Sequence, residues 1–191
     1  YWGLPHVIGC KLGPNGVDEL EELLSGFDPT AVVDEYGDDW EMLLDRIDAN
    51  FFPDEPRKRG LQSAWRKYCR ALLTGAVWLS QFEDAQDFYR WVERHDKNAR
   101  TRFELARAIA GEVHGYGPAL ACDFVKELGF LNWSKPDVHL NKIFVDLGLA
   151  AGEDNWTVFR AISRLARNAG VSPYHADEVF WLISSGRFYH N

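Results

Sequence analysis

The chain is poor in cysteine, and the few it has are scattered: Cys10, Cys69 and Cys122 among 191 residues. Three cysteines cannot pair off into a disulfide framework, and none forms a CxxC metal knuckle. Such usage suits a reducing, intracellular setting. Long apolar runs are lacking too. The longest candidate, Ala71–Leu79, is broken by Thr74 and Gly75, short of the roughly 18–20 residues of a membrane helix. No basic-then-apolar leader opens the sequence, which starts without Met, so trimmed first residues are expected. What remains is ordinary: 46% apolar and 26% charged residues, with no repeat and no low-complexity tract. That composition excludes disordered, collagen-like and coiled-coil chains. The length fits one domain or two small helical lobes. Eight tryptophans suit aromatic-lined pockets, and serve equally as core filler.

Net charge is −8, but it is unevenly spread. Residues 1–56 hold fourteen acids against Lys11 and Arg46, a local charge of −12; residues 57–191 hold fifteen acids and nineteen bases, a charge of +4. This asymmetry predicts an acidic N-terminal segment and a mildly basic remainder from residue 57 onward. Between Phe51 and Gly60, two prolines and the Arg57-Lys58-Arg59 triplet mark the expected boundary.

Periodicity is helical almost throughout. Helices are expected over Val17–Leu24, Asp38–Ile47, Asp84–Arg94, Asn98–Val113, Ala119–Leu128, Val138–Leu147, Trp156–Ala169 and Tyr174–Ser184. Leu61, Trp65, Tyr68, Leu72, Ala76 and Leu79 recur at three- and four-residue steps, one face of a further long helix. No segment alternates like a strand. The expected class is all-α, helix packed on helix.

One stretch carries chemistry. Val113-His114-Gly115-Tyr116-Gly117-Pro118-Ala119-Leu120-Ala121 joins two helical patterns through a Gly-x-Gly pair, with Pro118 suited to a first helical turn. Amides at such a helix start can grip a phosphate, and the same pattern also serves as a plain tight turn. About twenty residues later comes Lys135-Pro136-Asp137-Val138-His139-Leu140, then Leu147-Gly148-Leu149. Together these resemble the helix-hairpin-helix DNA glycosylase superfamily, which contains the endonuclease III-like and 8-oxoguanine glycosylases. His114-Gly115-Tyr116-Gly117 with Ala121 matches the hairpin, although His114 stands where that family usually has proline. Pro136-Asp137-Val138-His139 matches its Asp-x-His element. The match is confined to roughly residues 108–149.

The resemblance implies two helical lobes with a cleft between them, and an enzyme that flips a nucleotide out of double-stranded DNA and removes a damaged or modified base. It makes Asp137 the catalytic carboxylate; Lys135 and His139, close to it in sequence, are candidate accessory residues, with Lys135 expected to contact a phosphate or sit in solvent. Cleaving an N-glycosidic bond develops oxocarbenium character at the sugar, which a fixed carboxylate offsets while it orients or deprotonates water. Asp after Pro and ahead of an apolar helix also reads as an ordinary N-cap, and the two roles are compatible. Where lyase members carry a nucleophilic lysine, this chain has Ala119, so a monofunctional hydrolase is expected, with Lys135 the nearest substitute in sequence. The iron–sulfur cysteines of some members are missing, and six histidines show no metal spacing. Neither a cofactor nor a catalytic metal is expected, although hairpin carbonyls in that family can hold a monovalent cation structurally.

His114, Gly115, Tyr116 and Gly117 are the expected backbone clamp. Arg160, Arg164 and Arg167 share a helix face opposite Phe159, Ile162 and Leu165, a stripe that either tracks a DNA backbone or is merely solvated. Further bases gather at Arg94, Lys97, Arg100 and Arg102. Trp181 and Phe188 are candidate walls for a flipped base. A monomer is expected. The rival readings are a non-catalytic helix-hairpin-helix DNA-binding module and an acidic helical adaptor that binds protein through residues 1–56. No residue announces which base is removed.

Overall fold

The computed structural model describes residues 20–51 and 57–184, and among these every regular element is helical. The α-helices are α1 (Pro29–Tyr36), α2 (Trp40–Phe51), α3 (Ala64–Leu79), α4 (Ala85–His95), α5 (Ala99–Glu112), α6 (Pro118–Glu127), α7 (Val138–Asp146), α8 (Asn155–Ala169) and α9 (Pro173–Ser184). The all-α expectation holds. Residues 17–19 of the expected first helix lie outside the described residues, and Leu20–Leu24 is a helical turn rather than a helix. Helix α1 had not been expected. Its signal is local: the Asp28 Oδ1 accepts the Thr30 and Ala31 amides, and Pro29 occupies the first turn.

The chain divides into two compact units, Tyr1–Ala85 with Gly111–Gly115, and Gln86–Ala110 with Tyr116–Asn191. This is not the division after residue 56 that the charge asymmetry suggested. Helix α3 follows that point, yet its Trp65, Tyr68, Cys69 and Leu73 are buried in one cluster with Val32, Tyr36, Leu43, Leu44 and Ile47 of α1 and α2. Apolar burial sets the unit; the charge step does not. Arg57 and Arg59 of the basic triplet pair with Asp48, and Arg59 also with Asp45, so they neutralise acids of α2. Leu61 is 73% exposed, because the segment before Ala64 is a turn closed by the Ser63 amide on the Gly60 carbonyl.

The second unit centres on α7, α8 and α9, where Leu140, Phe144, Val158, Ile162, Ala166 and Ala176 are buried together. Phe159 of α8 packs against Phe103 of α5 at 5.5 Å between ring centroids, and edge-on against the fully buried Trp133 at 6.4 Å. Trp133 belongs to the connection between α6 and α7, so that connection is anchored in the core. Cys69 and Cys122 are buried thiols, one per unit; burial pushes Cys69 up to about 12 and Cys122 well above its ordinary value. Neither is a nucleophile at neutral pH.

Candidate functional site

The hairpin begins with a buried Val113 and a His114 whose amide donates to Thr74 Oγ1 of α3 at 2.9 Å. The next residue, Gly115, has φ +77°, a conformation any side chain strains. Gly117 does not: its φ is −99° and its ψ 171°, extended backbone leading into α6. The requirement for glycine conformation therefore lies at Gly115. A Cβ at Gly117 meets nothing within 4 Å, so glycine there leaves open space beside the helix start. Pro118 opens α6, and no side chain caps it. The first bond of its ladder runs from the Ala121 amide to the Gly117 carbonyl at 3.0 Å. The Ala119 and Leu120 amides thus precede the ladder, and this helix start has the polarity that suits an anion. Tyr116 and Gly117 are half-buried and Gly115 is exposed.

The connection from α6 to α7 delivers Asp137. It is held by two carboxylates from elsewhere in the unit. Asp96 accepts Asn132 Nδ2 at 2.9 Å and Trp133 Nε1 at 3.2 Å, and is itself paired with Arg102. Asp177 of α9 accepts the Lys135 amide at 2.6 Å, and the Tyr174 amide bonds the Leu131 carbonyl at 3.1 Å. Asp137 then caps α7: its Oδ1 accepts the amides of His139 at 2.9 Å and Leu140 at 3.1 Å. Both bonds fall on one oxygen, and Oδ2 has no protein partner among the described residues. The residue is half-buried, and His139 beside it is exposed. Ser134 Oγ and Asn141 Oδ1, three residues before and four after Asp137, are buried without hydrogen-bond partners among the described residues.

Beneath this connection lies a buried ion cluster that sequence reading missed. Lys126, 4% exposed, places its ammonium 2.7 Å from Glu178 Oε1, 3.3 Å from Asp177 Oδ2 and 3.5 Å from Asp123 Oδ1. Lys135 completes it, with Nζ 2.9 Å from Asp123 Oδ2. Burial pulls the Lys126 amine down, but Asp177, Glu178 and Asp123 together outweigh it and hold the amine above the ordinary lysine value. Burial pushes Asp177 up to about 6 against the pull of Lys126 and the Lys135 amide. The available signal was slight: Asp123 and Lys126 interrupt an apolar stretch of α6, and Asp177 stands just ahead of the apolar run of α9.

Of the other sequence candidates, Arg160, Arg164 and Arg167 are exposed on α8, opposite buried Phe159 and Ile162. The Arg160 guanidinium stands over the Trp156 ring at 5.3 Å, and Arg164 donates to the Leu149 carbonyl at 3.0 Å. Trp181 is half-buried and packs on the core of the second unit, which gives it a structural use. Phe188 lies outside the described residues. Among the described residues no group of three or more His, Cys, Asp or Glu side chains is arranged to hold a metal, and no helix is long and apolar enough to cross a membrane. No protein-family model, curated protein or solved structure matches the chain.

Proposed function

We propose that this protein is a helix-hairpin-helix DNA glycosylase that flips a damaged or modified base out of double-stranded DNA and removes it by hydrolysis. The observation that carries the reading is Asp137: a half-buried carboxylate at a helix start, on a connection tethered by Asp96 and Asp177, with Oδ2 free of any partner among the described residues. Capping needs one oxygen, and the second is available to a ligand.

In the proposed reaction the bond from the sugar C1′ to the base breaks, and its electron pair leaves with the base. Positive charge grows on the sugar, and Asp137 offsets it. Water adds to C1′; its proton passes to Asp137 as general base, and the product is an intact abasic site. Gly115–Gly117 and the uncapped start of α6 are assigned to the DNA backbone, whose phosphates position the duplex without reading its sequence. His139 is assigned an accessory place beside Asp137. Lys135 is assigned a structural one, because its ammonium is already bound by Asp123.

A second reading draws on the same cap: Asp137 as a purely structural N-cap in a non-catalytic DNA-binding module. Incubation with a panel of modified-base duplexes, followed by alkaline cleavage of abasic sites, separates them. Strand breaks after alkali are expected of the glycosylase and none of the module.

A further inference from the structure

The first unit carries a row of cations on α3. Arg66, Arg70 and Thr74 recur every four residues, so they share one helix face, and Lys67 borders it. Thr74 closes the row and accepts the His114 amide at 2.9 Å, which fixes the hairpin's start against this face. Its own hydroxyl donates back to the Arg70 carbonyl at 2.8 Å, so the anchor is oriented by the row itself. The His114 imidazole registers its neighbours. Burial and then the charges of Arg70, Arg66 and Lys67 push its pKa down.

Among the described residues these cations have no counter-charge. Arg66 stands over the Trp40 ring at 4.8 Å and Lys67 Nζ donates to Gln62 at 2.9 Å, both neutral partners. None of the three forms an ion pair with a carboxylate among the described residues, although residues 1–56 are strongly acidic. Arg46, Arg57 and Arg59 of the same unit are all paired. A cluster of like charges left unpaired in an acidic unit fits a polyanion that brings its own negative charge.

We infer that the Arg66–Lys67–Arg70 face of α3, with His114 anchored beside it, binds backbone phosphates of duplex DNA; this rests on the glycosylase reading above. The face adds affinity that is blind to base sequence.

The test is duplex affinity across a salt series for wild type and for the double variant Lys67→Gln/Arg70→Gln, with circular dichroism to confirm the fold. Arg66 is left in place because of its contact with Trp40. Each phosphate contact contributes about 0.9 to the slope of log affinity against log salt, so the double variant is expected to lose about 2 from that slope, equally on matched and modified duplexes. Arg70→Lys, which keeps the charge, is expected to retain the wild-type slope. An unchanged slope and affinity in the double variant, from a wild type that does form abasic sites, overturns the face and leaves the glycosylase reading standing. A wild type that binds no duplex overturns both.

Discussion

The Lys135 ammonium lies 2.9 Å from Asp123 Oδ2, and Asp123 is itself buried. An ion-paired ammonium has no lone pair with which to attack C1′, and Ala119 occupies the position where lyase members of the resembled family carry lysine. Borohydride is therefore expected to trap no covalent protein–DNA adduct, and the product strand is expected to stay intact until alkali is added. An efficient adduct that disappears in Lys135→Ala contradicts this and makes Lys135 a nucleophile.

The ion cluster predicts a large stability effect at Lys126. Lys126→Met removes the charge that faces Asp177, Asp123 and Glu178, and leaves two buried carboxylates with Lys135 alone. Breaking a buried pair from one side costs about 3–5 kcal/mol. Urea denaturation of the variant reads that loss directly; a change below about 1 kcal/mol contradicts the cluster as described.

Asp177 gives that cluster a pH dependence of definite sign. Its carboxyl is pushed up to about 6 in the fold, against an ordinary value of 3.8 in the unfolded chain. Between those values the folded state holds more protons, so this group's contribution to stability rises as pH falls from about 6 toward 4. Asp177→Asn cannot titrate. Comparing denaturation of the two proteins at pH 7 and pH 5, wild type is expected to gain on the variant at pH 5. A gap that moves the other way places the Asp177 pKa below its ordinary value.

The two hairpin glycines are expected to behave differently. Gly115→Ala puts a side chain at φ +77° and is expected to cost about 1 kcal/mol or more in folding stability. Gly117→Val meets open space at an extended residue, so the protein is expected to fold, while the added side chain blocks close approach of a phosphate. Duplex affinity at several salt concentrations checks the second variant, and wild-type binding at all of them reduces the hairpin to a turn.

What was legible in the sequence was whatever local spacing encodes. Helix α7 begins at Val138 as expected, since Pro136-Asp137 is a start signal written in adjacent residues. Helix α1 carries an equally local signal in Asp28-Pro29, though the helix that follows that cap is only eight residues long. The Lys126–Asp177 pair was beyond reach: its partners are 51 residues apart and meet only once α6 and α9 have packed. The same holds for His114 and Thr74, 40 residues apart, so the basic face of α3 became visible only with the fold. Charge asymmetry misplaced the division into units because an exposed charge hardly constrains which apolar faces share a core.

The most direct measurement compares abasic-site formation by wild type and Asp137→Asn on duplexes carrying modified bases. Asparagine keeps an oxygen for the His139 and Leu140 amides, so the cap and the fold are expected to survive while the negative charge is lost. Wild type is expected to generate alkali-labile sites on at least one duplex, and Asp137→Asn to do so about 10²–10⁴-fold more slowly with duplex affinity retained. Wild-type rates in Asp137→Asn, or no alkali-labile site from wild type on any duplex, contradict the assignment of Asp137 as the carboxylate of a DNA glycosylase.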